Sequence, residues 1–132
     1  MRVNREIIVP NNDKLNVSRN FNLPHSPGIR AGDFIFLSGM LSTDPQSGER
    51  SPGTMAHETR QTLSNMRHLL ESAGSSLERL VQVRAMIYDR IEYDALNRVY
   101  RQYVPQGPPA RTVWSVRIID AFKVQLDAVA LA

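Results

Sequence analysis

The stretch "TMAHETRQTLSNMRHLLESAGSSLERLVQVRAMIYD", residues 54–89, joins a helical pattern to an alternating one. From about Thr54 to Ala73, small or apolar side chains recur every three or four residues, which predicts an amphipathic helix. Ser51 or Thr54 can cap its start, and Gly74 is typical of the residue just beyond a helix end. The predicted buried stripe consists of Met55, Thr59, Thr62, Leu63, Met66, Leu69, Leu70 and Ala73.

Two strand patterns lie next to this helix. Side chains alternate between apolar and polar over residues 80–89, which predicts a strand with two unlike faces. Before the helix, "DFIFLSGML" at 33–41 is a continuous apolar run typical of a buried strand, and Gly32 favours a turn just ahead of it. The expected apolar face of the later strand is Val81, Val83, Ala85 and Ile87.

The rest of the chain completes the order of elements. Residues 92–104 return to helical spacing, and strand patterns follow at 111–119 and 122–132. A short strand is expected within 10–28, and residues 1–23 are predicted to be an irregular N-terminal lead-in. The resulting order, β-β-α-β-α-β-β, predicts an α+β fold with two helices on one face of a mixed sheet.

Composition narrows the possible functions. A chain of 132 residues is expected to form a single domain, 1–132. The absence of cysteine excludes disulfides and thiolate chemistry. The net charge of +3 is spread along the chain, so no nucleic-acid partner is predicted. Apolar runs fall short of the ~18–20 residues that span a membrane, and a cytoplasmic location is expected.

Metal binding is not predicted either. Of the three histidines, His57 and His68 lie on one predicted helix, about 16 Å apart along its axis. His25 has no ligand-type residue at a metal-binding spacing. No metal site and no cofactor are therefore expected.

The loop "PQGPPARTVWSV", residues 105–116, places prolines directly before one charged side chain, Arg111. Prolines restrict their own backbone and that of the preceding residue, so the approach to Arg111 has few conformations. Such an arginine can clamp a carboxylate through two parallel hydrogen bonds. The sequence leaves this open beside the simpler interpretation, a solvated arginine at the start of a strand.

A second polar feature lies in the last predicted strand. Gln125 and Asp127 alternate with apolar residues, so both side chains point to the same face of the sheet. They either face solvent or line a pocket, and the pattern does not decide between the two.

Four segments together resemble the Rid/YjgF family of enamine and imine deaminases. They are "IRAGDFIFLSG" at 29–39, the stretch at 59–89, "YDALNRVYRQYV" at 93–104 and "PPARTVWSV" at 108–116. The resemblance implies a chorismate-mutase-like α+β fold and a homotrimer with a central barrel and clefts between subunits. It also implies hydrolysis of reactive enamines or imines to 2-keto acids and ammonia, without metal or organic cofactor.

The same resemblance implies roles for individual residues. Arg111 would bind the substrate carboxylate, and the main chain of Thr112 and Val113 would contact the imine nitrogen. Gly39 and Asn97 would line the cleft, with Tyr100 beside Asn97.

Three positions depart from the family pattern. Gln125 stands where active members have the glutamate that positions water, and glutamine cannot take a proton. His25 replaces a tyrosine at the cleft edge, and Met40 replaces the glutamine that usually follows the Ser-Gly pair. His25 either supplies the missing proton transfer or is simply another ring at the cleft edge.

Three functions follow as candidates. The first is deamination of a carboxylate-bearing enamine or imine, of the 2-aminoacrylate type or a pathway-specific relative such as an aminomuconate-type compound. The second is binding of a small carboxylate without catalysis, since the glutamate is absent. The third, a ribonuclease or translation inhibitor, ranks last because no basic stripe or histidine pair supports phosphodiester chemistry.

Overall fold

The computed structural model describes residues 4–104 and 106–132, and these residues form a mixed α+β domain. In the described chain, six strands make one sheet in the order β1-β2-β3-β6-β4-β5, with β4 and β5 parallel and the other neighbours antiparallel. The elements are β1 (Glu6–Ile8), α1 (Val17–Asn20), β2 (Gly28–Ala31), β3 (Phe34–Met40), α2 (Met55–Ser72), β4 (Leu80–Ile87), α3 (Tyr93–Tyr103), β5 (Ala110–Ser115) and β6 (Val124–Leu131).

The N-terminal lead-in contains more regular structure than its composition indicates. It holds β1, which pairs with β2, and the single-turn helix α1. Asn12 and Asn16 make this possible, because their side chains accept hydrogen bonds from nearby backbone N–H groups at the starts of short helical turns. Residues 1–3 and Pro105, which belong to the predicted lead-in and the predicted proline loop, lie outside the described residues.

Helix α2 matches its prediction closely. The Thr54 side chain accepts a hydrogen bond from the His57 backbone N–H at 3.1 Å, and Gly74 follows the C-cap Ala73 with a φ of +80°. The predicted stripe is buried between the sheet and α3, and α2 and α3 pack on the same side of the sheet. This helix layer and the sheet enclose the hydrophobic core.

The buried carboxylate of Glu58 ties the start of α2 to the sheet. Its two oxygens accept hydrogen bonds from the backbone N–H groups of Gly53, at 3.0 Å, and Lys123, at 2.7 Å. The Lys123 ammonium reaches within 4.0 Å of the same carboxylate. A charge that is fully buried needs such partners, so Glu58 fixes where β6 begins.

The strand at 33–41 is buried on one side only, which corrects the prediction of a buried strand. Ile35 and Leu37 face the helices, whereas Phe34 and Phe36 are 41% and 47% exposed on the opposite side. We call that side the open face. On β3, β4, β5 and β6 its residues are Phe34, Phe36, Gln82, Arg84, Met86, Ala110, Thr112, Trp114, Gln125, Asp127, Val129 and Leu131.

The predicted apolar face of β4 is correct except at its start. The pairing of β4 with β6 shifts register between Leu80 and Gln82, so Leu80 is buried and Val81 is exposed. A bulge inserts one residue and reverses the side to which the preceding side chains point. Strict alternation along the sequence therefore assigned Val81 to the wrong face.

A second register shift, between Leu37 and Met40 of β3, has a consequence for function. It brings Gly39 against the side chain of Gln125 on β6: a Cβ atom built at Gly39 would lie 2.3 Å from Gln125 Nε2. Glycine at this position therefore leaves the space that the Gln125 amide occupies.

Candidate active site in two halves

The first half of the site is centred on Arg111, at the start of edge strand β5. Arg111 pairs across the sheet with Val83 of β4. The half-buried side chain of Arg111 therefore points toward the helices and not to the open face. There the guanidinium lies 4.8 Å from the centre of the Tyr100 ring and 5.8 Å from that of Tyr93. It also donates a hydrogen bond to the Tyr93 hydroxyl at 3.3 Å. Two aromatic faces thus hold the cation in place.

Helix α3 supplies the other residues of this half. Tyr93, Asn97 and Tyr100 lie at positions i, i+4 and i+7, so they share one face of the helix. Asn97 is half-buried between the two tyrosines along that face. Tyr93 was not predicted as a site residue, although its spacing of seven from Tyr100 is a signal that could have identified it. We call Arg111, Tyr93, Asn97, Tyr100 and Val113 the arginine half.

Tyr100 is 6% exposed, and its hydroxyl makes no hydrogen bond with any described residue. Burial raises the pKa of this phenol, and the positive charge of Arg111 partly opposes the rise. The side chain is therefore a neutral phenol at physiological pH. Tyr100 supports the guanidinium with its ring face.

The main chain after Arg111 is also accessible. Thr112 points to the open face opposite Arg84, while Val113 turns back to pack against the core and lines a cleft of about 170 Å³ beside Tyr93. Because β5 is the last strand in the sheet order, one edge of its backbone has no neighbouring strand among the described residues. Its amide and carbonyl groups on that edge can contact a ligand.

The second half is a cavity of about 360 Å³ beside the end of β3 and the start of β6. It is lined by His25, Gly39, Met40 and Gln125, which we call the cavity half. The lead-in forms one wall, and most of the lining is apolar. The remaining lining residues are Pro10, Leu15, Val17, Ser18, Phe21, Leu23, Pro27, Ser38, Leu41, Thr43, Arg50, Asn65, Leu69 and Ile119.

The segment that carries His25 is attached firmly to β3. Ser38 donates its hydroxyl to the Ser26 carbonyl at 2.6 Å and its backbone N–H to the Pro27 carbonyl at 3.0 Å. Pro24 and Pro27 restrict the backbone on either side of His25. Ser38, which bonds to the histidine segment, is followed directly by Gly39, which leaves room for the Gln125 amide.

The two polar residues of β6 turn out to have different surroundings. Gln125 lines the cavity, whereas Asp127 accepts two hydrogen bonds from the Arg84 guanidinium, at 2.7 and 3.0 Å. These hydrogen bonds, and then the charge of Asp127, raise the pKa of Arg84. Asp127 is thus engaged in an ion pair on the open face and is not the partner of Gln125.

A single chain does not bring the two halves together. Gln125 belongs to the open face, in register with Met86, whereas Arg111 points to the helix side of an edge strand two positions away in the sheet. The residues predicted to act on one substrate therefore lie on different sides of the same molecule.

Across residues 4–104 and 106–132, no three His, Asp or Glu side chains come together in a group able to hold a metal ion. Within the same ranges, none of the helices has the length and apolar character required to cross a bilayer.

Comparison with known proteins identifies the family. Residues 19–132 match the family model described as Endoribonuclease L-PSP, which covers most of the chain. The chain belongs to the Rid/YjgF family. A RutC family protein of Pyrococcus horikoshii is 34% identical over 108 residues, covering 81% of this chain and 86% of that protein.

Two further relatives bear on the activity of this Rid family member. The 2-iminobutanoate/2-iminopropanoate deaminase of Capra hircus is 31% identical over 109 residues, covering 82% of this chain and 80% of that enzyme. The crystal structure of E. coli TdcF with bound serine has a TM-score of 0.77 at 26% identity, covering 83% of this chain and 88% of the other. The predicted fold and family are therefore confirmed, and enzymes named deaminases are among the relatives.

Proposed function

We propose that this protein hydrolyses carboxylate-bearing imines and enamines of the 2-aminoacrylate type to 2-keto acids and ammonia. The observation that carries the proposal is the placement of Arg111, which is fixed between two tyrosine rings and beside the free edge of β5. A guanidinium held in this way loses little entropy when it binds a carboxylate through two hydrogen bonds. The deaminase relatives and the serine-bound TdcF support the same ligand chemistry.

We also propose that the site is completed between the subunits of a homotrimer. The open face exposes Phe34, Phe36 and Trp114, a set of large apolar side chains typical of an interface. The two half-sites lie on different sides of the chain, as a head-to-tail ring requires. In a closed ring with three-fold symmetry, the arginine half of one subunit meets the cavity half of the next.

Within such a cleft each group has a defined task. Arg111 binds the substrate carboxylate, and the main chain of Thr112 and Val113 contacts the imine nitrogen. Gln125, from the neighbouring subunit, accepts a hydrogen bond from the attacking water and orients it. A protonated imine is already electrophilic, so orientation and proximity supply a useful part of the rate.

One observation favours a second candidate, a carboxylate-binding protein without catalytic activity. None of the described residues that line the cavity is an aspartate or a glutamate. If no other group moves the proton, the site binds the imine or its keto-acid product and leaves the rate of hydrolysis unchanged.

A coupled assay separates the candidates. A serine dehydratase generates 2-aminoacrylate in situ, and the release of pyruvate is followed with and without the protein. We expect clear acceleration by the wild type. Binding of pyruvate in calorimetry without acceleration would favour the second candidate, and absence of both would contradict the proposed function. RNA added to the same preparation tests the activity in the family model's description, and we expect it to stay intact.

A further inference from the structure

The cavity half lacks an obvious acceptor for a proton. An amide such as Gln125 can accept a hydrogen bond from water, but it cannot accept the proton that water loses on attack. Among the described lining residues, the ionisable side chains are His25 and Arg50. Arg50 is bonded to the carboxylate of Asp120 and lies over the Phe21 ring. His25 is therefore the cavity residue whose side chain can both accept and return a proton.

The hydrogen bonds of His25 define which ring nitrogen is free. Nδ1 lies 2.9 Å from Ser18 Oγ and 3.4 Å from the carbonyl oxygen of Ser26. Because a carbonyl can only accept, a proton on Nδ1 satisfies both contacts, and we assign that tautomer. Nε2 then carries the lone pair, and in the described part of the chain it makes no hydrogen bond.

Ser18 is well placed to orient the ring. It is 8% exposed, at the start of helix α1, and its hydroxyl bonds to His25 seven residues later. A partner on one nitrogen that fixes the tautomer and orientation of the other is a recurring arrangement around functional histidines. The surrounding charges are few: Arg50 is the other ionisable residue of the cavity, and Asp120 neutralises it.

We propose that His25 is the catalytic proton-transfer group of this protein, doing the work of the absent carboxylate, and that Ser18 is its positioning residue. This inference rests on the proposed function, since it concerns the same cleft. Gln125 and His25 then divide the work: the amide orients the water, and the imidazole takes its proton. The lead-in, which supplies Ser18, and the segment that follows it, which supplies His25, become part of the catalytic machinery.

The step balances without any further reagent. Water attacks the carbon of the protonated imine, its proton passes to His25 Nε2, and the C=N electron pair moves to nitrogen to give a neutral carbinolamine. The imidazolium returns this proton to the amino nitrogen, and the C–N bond breaks as the hydroxyl oxygen forms the keto C=O. The hydroxyl proton leaves with ammonia as ammonium, and His25 is neutral again.

Replacement of His25 by glutamine tests the proposal, because glutamine keeps a polar side chain of similar reach but cannot titrate. We expect His25→Gln to lower kcat by about 100-fold at pH 7, the lower end of the range for one general acid–base group. The pH profile of kcat should change as well, because the group that accepts the proton is no longer an imidazole. His57→Gln is the matched control, since His57 bonds to Ser51 at the start of α2 and does not line the cavity; it should keep the wild-type rate and profile.

Two further variants distinguish a loss of proton transfer from a loss of the folded structure. Ser18→Ala should lower kcat by less than His25→Gln does, with KM nearly unchanged. The double variant His25→Gln, Gln125→Glu should recover activity, because a carboxylate again accepts the proton. Circular dichroism establishes that each variant is folded.

The outcomes separate this inference from the proposed function. A wild type that accelerates hydrolysis, with a His25→Gln variant of equal rate and equal pH profile, would overturn the role of His25 and leave the proposed function standing. A wild type that does not accelerate hydrolysis would overturn both. Loss in His25→Gln without recovery by Gln125→Glu, in a folded double variant, would show that His25 does not act through the proton.

Discussion

The two halves of the site are built in different ways. In the arginine half, a regular edge strand and a helix face present one cation between aromatic rings, and all of its residues lie between positions 93 and 113. In the cavity half, a bulge, a glycine and a proline-flanked segment bring together residues 14 to 100 positions apart, such as His25, Gly39 and Gln125. By the family resemblance, the arginine half keeps the expected residues, and the cavity half departs from them at His25, Met40 and Gln125. In the proposed function, the arginine half anchors the substrate and the cavity half transfers the proton.

The largest expected effect comes from removing the cation of the arginine half. Arg111→Ala should lower kcat/KM by about 1,000-fold, since two charge-assisted hydrogen bonds of about 2 kcal/mol each are lost. The measurement is pyruvate release from 2-aminoacrylate. Arg60→Ala, on the exposed outer face of α2, is the matched control and should behave as the wild type. An Arg111→Ala protein of wild-type activity would contradict the carboxylate clamp.

The next effect concerns the open face, the proposed interface between neighbouring subunits. Phe36→Glu places a charge on the open face and should dissociate the trimer, because burying an unpaired carboxylate is costly. Activity should fall by about 100-fold along with the trimer, which light scattering measures. Arg60→Glu adds a charge elsewhere and should leave the mass unchanged. If Phe36→Glu stays trimeric, the open face is not the interface.

A smaller effect should follow from filling the cavity half. Gly39→Val puts a side chain where the Gln125 amide lies, so the amide must move away from the water that it orients. We expect about a 10-fold lower kcat with little change in KM, since carboxylate binding lies in the other half. Thermal unfolding close to that of the wild type would show that the fold is intact. Unchanged kcat would mean that Gln125 does not orient the water.

The smallest effect is electrostatic and does not require activity. Arg111 lowers the pKa of Tyr100 while burial raises it, so Arg111→Ala should raise that pKa further. Phenolate absorbance during an alkaline titration measures it, with Tyr100→Phe to assign the signal. Because the folded chain keeps this phenol protonated to higher pH than the unfolded chain, its contribution to stability is lost as the pH rises above the ordinary tyrosine value of 10.0. A downward shift in Arg111→Ala would contradict the contact.

Regular elements were predictable from the sequence because their periodicity is local. Helix α2, with its Thr54 cap and the glycine at 74, and the buried side of β4 beyond Leu80 follow from spacing alone. The two bulges were not predictable, since a register shift depends on the neighbouring strand. For that reason Val81 was assigned to the wrong face, and the contact between Gly39 and Gln125 had no signal of its own.

The site was predicted residue by residue but not as an assembly. Arg111, Gln125, Gly39 and His25 were each identified as candidates, yet no local pattern shows that a strand exposes Arg111 and Gln125 on different sides. Ser18 was missed because its partner lies seven residues away in an irregular segment. Pairing between distant segments is what the sequence alone does not specify.

The most direct test of a site shared between subunits is complementation. One chain carries Arg111→Ala, the other carries His25→Gln with Gln125→Leu, and the two are mixed in equal amounts by co-refolding. Each parent alone should be nearly inactive. In a three-fold ring with one orientation, every mixed trimer has one intact site, so about a quarter of wild-type activity should return. Activity in the mixture that stays at the average of the two parents, with mixed trimers verified by native mass spectrometry, would contradict a site built from two chains.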